Sequence, residues 1–148
     1  MVIFEDESVK LSFEPETPCI IWKPLRFLSG ETWRVPFMKG MDFMEEKIKS
    51  MPNIGWINDA RLLKVVKPDD LLWLNKNVND RAYNFGAKKV AFVLPESAFG
   101  KWAVKFYADF TNKRTDNKFQ IKAFMTMEEA KKWISATASI SVQEVNLD

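Results

Sequence analysis

Apolar and polar positions follow two different periods along the chain, and the clearest segment is an unbroken apolar run at residues 90–94. Because successive side chains of a strand point to opposite faces, an unbroken run predicts a strand that is covered on both sides. Gly86 follows one helical pattern and Ser97 precedes another. We therefore predict a central strand between two helices, as in α/β proteins.

Five further segments have the patterns of strands. An apolar start at residues 2–4 and an alternating run at residues 9–13 predict an antiparallel hairpin at the edge of the sheet. Residues 19–22 and 54–59 have the apolar character of strands, and residues 119–123 alternate as in a strand near an edge. With the central strand, these segments predict a sheet of five or six strands.

The first helix is predicted over about residues 32–51 from a single apolar stripe with helical spacing. The members of the stripe are Phe37, Met41, Met44, Ile48 and Met51. Pro36 suits only a first turn, so we expect the regular helix to begin near it. On another side of the helix, Glu45 and Lys49 have the i,i+4 spacing of an ion pair.

Three more helices are predicted from apolar stripes with helical spacing and from residues that favour the start of a helix. Pro68 and Asp70 belong to the first turn of the second helix, where proline and carboxylates are favourable. A third apolar stripe follows the central strand over residues 99–110. Thr126 and Glu129 have the spacing of a capping box, which predicts the start of a fourth helix.

The order of these elements predicts the fold class. Strands that alternate with helices imply parallel crossovers, here with an antiparallel hairpin added at one edge. We expect one α/β domain over residues 1–148, with a mixed sheet of five or six strands and four main helices. Residues 138–148 are either an extra strand or a loose tail.

Composition narrows the function classes. The 22 Lys and Arg residues against 20 Asp and Glu residues do not suggest a dedicated nucleic-acid or membrane-surface binder. The single cysteine, Cys19, lies in an apolar run and is expected to be a buried thiol. Basic pairs such as Lys88–Lys89 are expected on solvated faces. No apolar run approaches the roughly 20 residues that span a bilayer, and the acidic start does not resemble a secretory signal. We therefore expect a cytoplasmic protein.

Residue types that carry catalysis are scarce. The chain has no histidine, which removes the commonest general base and metal ligand. One cysteine is too few for a usual zinc site, and neither a P-loop nor a G-x-G-x-x-G motif occurs. Adjacent carboxylates such as Asp69–Asp70 point about 100° apart on a helix and do not face each other. We predict a non-enzymatic protein with no metal or cofactor.

Polar side chains follow two predicted parallel strands at the edge where open α/β sheets bind ligands. Asp59 and Arg61 follow one strand, and Glu96 and Ser97 follow the central strand. A helix N-terminus at Ser97 together with Arg61 would suit a carboxylate or a phosphate. In the alternative reading, Asp59 pairs with Arg61 and Ser97 only caps its helix. Any functional site is therefore expected near these four residues.

Four segments resemble the STAS superfamily (sulfate transporter and anti-sigma-factor antagonist), and more narrowly the SpoIIAA-like, STAS/SEC14-type bacterial proteins of unassigned function. They are WINDAR at residues 56–61, DDLLWL at residues 69–74, GAKKVAFV at residues 86–93 and FMTMEEAKKW at residues 124–133. Together they cover about residues 50–135 and imply a STAS-like fold. The anti-sigma-factor antagonists carry a phosphorylatable serine where this chain has Ala60, so their phosphorylation switch is not expected here.

The resemblance implies a non-enzymatic regulatory or protein-interaction module. The resemblance to SEC14-type proteins implies, as the alternative, a binder of a small apolar or anionic amphipathic ligand. An enzyme of unknown type is the third class. The expected partner is another protein or such a ligand, and a homo-oligomer is compatible with either. A ligand binder should show a concave apolar space between a helix and the sheet, whereas an interaction module should show an exposed apolar patch.

Overall fold

The computed structural model describes residues 1–63, 65–94 and 120–136, which form an α/β fold around one mixed sheet. The six strands lie in chain order across the sheet. They are β1 (Val2–Glu5), β2 (Val9–Glu14), β3 (Cys19–Pro24), β4 (Gly55–Asp59), β5 (Lys89–Val93) and β6 (Gln120–Phe124). The pairs β1–β2 and β2–β3 are antiparallel, and the strands from β3 to β6 run parallel. The predicted mixed sheet with an edge hairpin is therefore confirmed.

Three helical segments occur in the described part of the chain. They are α1 (Glu31–Lys47), a continuous segment made of α2 (Pro68–Leu74), a π-helical stretch (Asn75–Asn79) and α3 (Asp80–Asn84), and α4 (Met127–Ser135). Gly86 has a φ of 106°, a left-handed conformation that glycine adopts readily after a helix. Thr126 accepts a hydrogen bond from the Glu129 backbone N–H, which confirms the predicted cap of α4. The helix predicted over residues 99–110 and the segment 138–148 lie outside the described residues.

The strand β5 is covered on both of its faces, as the unbroken apolar run predicts. Val90 and Phe92 face the layer of α1, α2 and α3, and Ala91 and Val93 face α4. β5 pairs with β4 on one side and with β6 on the other, so it is an interior strand. The core therefore has two layers, one on each side of the sheet.

The helix α1 begins earlier than its proline indicated. It starts at Glu31, and Pro36 lies inside it rather than in its first turn. Trp33 and Phe37 are buried against Trp22, with ring centroids 5.4 and 4.7 Å from that residue. Because these contacts hold the turn before the proline, packing outweighs the backbone hydrogen bond that Pro36 cannot donate.

The ion pair predicted between Glu45 and Lys49 is replaced by two other pairs. Lys49 Nζ lies 3.0 Å from Glu46, and Glu45 accepts from Arg81 of α3 at 2.7 Å. Arg81 also donates to Asp42 at 2.8 Å. These hydrogen bonds, first that to Asp42 and then that to Glu45, raise the pKa of the Arg81 guanidinium. The prediction was wrong because a partner from another helix competes for Glu45.

The expectation that both Lys88 and Lys89 are solvated was also wrong. Lys88 is exposed, but Lys89 is only 4% exposed. Strand alternation turns Lys89 towards α4, where its Nζ donates to the Trp133 carbonyl at 3.2 Å and lies 4.4 Å from the centre of the Trp133 ring. The carbonyls at the end of a helix are a favourable place for a cation, which accounts for its burial.

Candidate functional site

Asp59 and Arg61 meet at the carboxyl edge of the parallel strands as an ion pair. Asp59 is the last residue of β4, and its side chain is 2% exposed. Arg61 Nε donates to Asp59 Oδ1 at 2.9 Å, and Arg61 Nη2 donates to Oδ2 at 2.8 Å. This two-point geometry is the strong form of an arginine–carboxylate contact. The ion pair between Asp59 and Arg61, which the sequence allowed as the alternative to a ligand site, is therefore present. The Arg61 side chain remains 42% exposed.

The other two residues of the predicted site, Glu96 and Ser97, lie outside the described residues. In the sequence, Asp59 and Arg61 come at the end of β4, and Glu96 and Ser97 follow β5. These two strands are adjacent and parallel, with Asp59 of β4 in register with Val93 of β5. Both strands therefore end at the same edge, as predicted. Ala60, which stands where the sequence resemblance would place the serine of anti-sigma-factor antagonists, is 1% exposed, and its N–H donates to the Val93 carbonyl at 3.2 Å.

Two loops at this edge expose large apolar side chains that sequence reasoning missed. Leu25 and Phe27, in the loop between β3 and α1, are 40% and 53% exposed. Leu62 and Val65, in the loop between β4 and α2, are 54% and 44% exposed. Because β3 and β4 are neighbouring parallel strands, the two loops leave the sheet side by side. We call these four residues the edge surface.

The charges of the two loops have one sign. Neither residues 25–30 nor residues 60–67 include an aspartate or a glutamate. Their basic residues are Arg26, Arg61, Lys64 and Lys67. An apolar and basic run directly after a strand was the sequence signal that could have identified the edge surface. The balanced total charge of the chain conceals this local excess.

An aromatic cluster fills the space between α1 and the sheet, inward of the edge. Trp22 stacks on Phe37 at 4.7 Å, and Phe37 stacks on Trp56 at 6.0 Å. The Trp56 indole donates to Asn58 Oδ1 at 2.8 Å. Two cavities of about 20 Å³ each adjoin this cluster, and Phe37 and Asn58 line both of them. Trp33 lines the first, with Trp22 opposite in edge-to-face contact.

Two buried indole N–H groups without a hydrogen-bond partner, Trp22 Nε1 and Trp33 Nε1, belong to residues that line the first cavity. Within the described residues, Arg34 Nε and Asp70 Oδ2 are also buried without a partner. The other oxygen of Asp70 accepts from the Gly30 N–H at 3.3 Å and so joins α2 to the start of α1. The cavity has the volume that one water molecule requires, and a water oxygen can accept from two indole N–H groups. It is therefore suited to a buried water.

The remaining chemistry of the described residues is limited. Burial raises the pKa of the Cys19 thiol to about 12, and the nearby Glu14 carboxylate adds to the shift. The thiol therefore stays protonated and unreactive at neutral pH. The described ranges hold no group of three or more His, Cys, Asp or Glu side chains placed to bind a metal ion. They also include no helix with the length and apolarity to cross a membrane.

Comparisons with protein-family models, curated proteins and solved structures find no match to this chain. The assignment to the STAS superfamily therefore stays a proposal based on the four sequence segments. The candidate site is defined by its geometry, as the edge surface with the Asp59–Arg61 pair next to it in the chain.

Proposed function

We propose that the protein is a non-enzymatic regulatory module of the STAS type that docks its edge surface onto a partner. The observation that carries the proposal is the grouping of four exposed apolar side chains on two neighbouring loops. A single exposed apolar side chain needs no explanation, whereas a group at one place marks an interaction site. The apolar patch expected of an interaction module is therefore the feature that supports this function.

The volume of the cavities makes enclosure of an amphipathic ligand the weaker alternative. Sites for small molecules enclose roughly 300–1,000 Å³. The two cavities beside the aromatic cluster have about 20 Å³ each, and the larger space of about 480 Å³ between α1 and β1 is a groove open to solvent that encloses nothing. A ligand of that class would have to displace the aromatic cluster, whose rings are packed against one another. Docking on the outside of the edge requires no such rearrangement.

The Asp59–Arg61 pair supports docking by holding the second loop in place. The Arg61 N–H lies 3.4 Å from Asp59 Oδ1, and the Leu63 N–H donates to the Ala60 carbonyl at 3.1 Å. These contacts fix the backbone on both sides of Leu62. A loop that is already ordered loses less entropy when it binds, so its apolar contacts contribute more to affinity.

Site-specific photo-crosslinking in cells tests this function. A benzophenone amino acid replaces Phe27 in one variant and Tyr83 in a matched control. Both residues are exposed aromatics, at 53% and 43%, but Tyr83 lies in α3, which precedes β5 and so stands at the opposite edge. We expect a discrete adduct from position 27 and none from position 83. Equal adducts from both positions, or none from position 27, would contradict the proposal, provided that thermal melts show both variants folded.

A further inference from the structure

We propose that the partner of the edge surface is an anionic membrane surface, to which the protein binds peripherally and reversibly. The inference rests on the proposed function, because it uses the same four side chains. It adds the chemistry of the partner, namely a layer of negatively charged lipid headgroups over an apolar interior.

The first observation is the distribution of charge. The edge loops and the helix starts that follow them, residues 23–39 and 60–72, carry seven Lys or Arg residues and three Asp or Glu residues. The β1–β2 turn lies at the same edge, because the Ser8 carbonyl accepts from the Leu25 N–H at 2.7 Å, and it adds Glu5, Asp6 and Glu7. The basic excess is therefore confined to the two loops themselves, which hold no acidic residue. A surface with a local basic excess is attracted to the negative potential of anionic lipids, even when the net charge of the protein is small.

The second observation is the way in which apolar and basic residues alternate. Arg26 stands between Leu25 and Phe27, and Lys67 follows Val65 by two residues. Exposed side chains in such an order can place their apolar parts at the boundary between headgroups and acyl chains while the cations stay at the phosphates. The charge pattern and the exposed apolar tips therefore favour the same partner.

The third observation concerns shape. The edge surface consists of side chains from two separate loops, rather than a groove that would receive a helix or a strand. A protein partner would need hollows that match both loops, because protein interfaces are closely packed at their core. A lipid layer is fluid and admits both loops without such complementarity. This favours a membrane over an acidic protein.

The ion pairs at this edge of the sheet determine which basic side chains are available to attract anionic lipid. Arg26 lies 4.0 Å from Glu7, but both side chains are more than half exposed, so the pair is weak and can yield to lipid phosphate. Arg61 is held by the buried Asp59. Among the described basic residues of the two loops, Arg26 and Lys67 are therefore the main source of attraction. Each basic residue near an anionic surface contributes about fivefold in affinity.

Vesicle co-sedimentation of the full chain is the test. We expect binding to vesicles of phosphatidylcholine with phosphatidylserine, little binding to phosphatidylcholine alone, and a loss of binding as salt is raised. Phe27→Glu should weaken binding at least about tenfold, because it removes an apolar tip and adds repulsion. Lys67→Glu should weaken it at least about fivefold. Tyr83→Glu and Lys88→Glu, which make matched changes at the opposite edge, should bind like the wild type.

The outcomes separate this inference from the proposed function. Absence of vesicle binding, equal binding to neutral vesicles, or equal losses in the edge and control variants would overturn the membrane assignment. In that case a protein adduct from position 27 would leave the docking function intact with a protein partner. A lipid adduct from position 27, together with binding to serine-containing vesicles, would support both. Failure of crosslinking and of vesicle binding would overturn both.

Discussion

Gly40 of α1 packs against the Trp56 ring of β4 at a distance that only glycine permits. A methyl group added at Gly40 would lie 2.5 Å from Trp56 Cη2 and 2.8 Å from Cζ3. The ring cannot easily yield, because its indole N–H donates to Asn58 and its face stacks on Phe37. The close approach of α1 to the sheet at this point therefore depends on the absence of a side chain.

Gly40→Ala should destabilise the protein, although alanine is the better helix former. Overpacking against the Trp56 ring should cost about 1–3 kcal/mol. The gain in helix propensity is at most about 1 kcal/mol. Urea unfolding measures the difference, with Met38→Ala on the exposed side of α1 as the control, expected to change stability by about 0.5 kcal/mol or less. A more stable Gly40→Ala variant would show that Trp56 can move.

Phe92→Ala should cost about 3–5 kcal/mol in unfolding free energy, as for large aromatic residues in packed cores. Phe92 lies in the interior strand and is 4% exposed. Phe27→Ala is the matched control, because Phe27 is 53% exposed and its loss should have little effect on stability. A loss below about 1 kcal/mol for Phe92→Ala would mean that this face of β5 is not part of the core.

A double-mutant cycle of Asp59→Asn and Arg61→Met should reveal coupling between the two side chains. Arg61→Met leaves a buried carboxylate without its guanidinium partner, which should cost about 1–3 kcal/mol. The same change should cost much less when Asp59 is already asparagine. The partial exposure of Arg61 places the coupling in the lower part of the usual range of about 0.5–3 kcal/mol. Strictly additive effects in denaturant melts would contradict a stabilising pair.

Cys19 should make stability fall at high pH. Its pKa rises from 9.0 to about 12 on folding, so the folded state retains the thiol proton after the unfolded state has lost it. The stabilisation is complete below pH 9 and is lost as the pH rises towards 12. Between these values, the urea midpoint of the wild type should fall more steeply than that of Cys19→Ala. Parallel curves for the two proteins would contradict the shift.

Local patterns were sufficient to predict much of the fold. The unbroken apolar run of β5 and the capping box at Thr126 are properties of a few consecutive residues, and both were confirmed. Pro36 shows where a local rule fails. Its position inside α1 depends on Trp22, a residue of β3 that the helix meets only after folding.

The candidate site was predictable only in part. The shared edge of β4 and β5 follows from parallel strands, so the position of Asp59 and Arg61 could be expected. Whether these residues pair or remain available for a ligand depends on how the two side chains are oriented after folding, here with contacts of 2.8 and 2.9 Å, and local sequence patterns do not determine that orientation. Glu45 shows the same limit, because its partner Arg81 is 36 residues away in the chain.

The sequence by itself determined the kind and order of the strands and helices, because apolar periodicity acts through neighbouring residues. Only the tertiary structure decided which apolar residues reach the surface. Phe27 and Leu62 are more than half exposed, whereas Leu28 and Leu63, their next neighbours, are buried. The reason is that exposure depends on which helix covers each loop residue once β3 and β4 lie side by side. The edge surface exists only because the parallel pairing of these strands brings its two loops together.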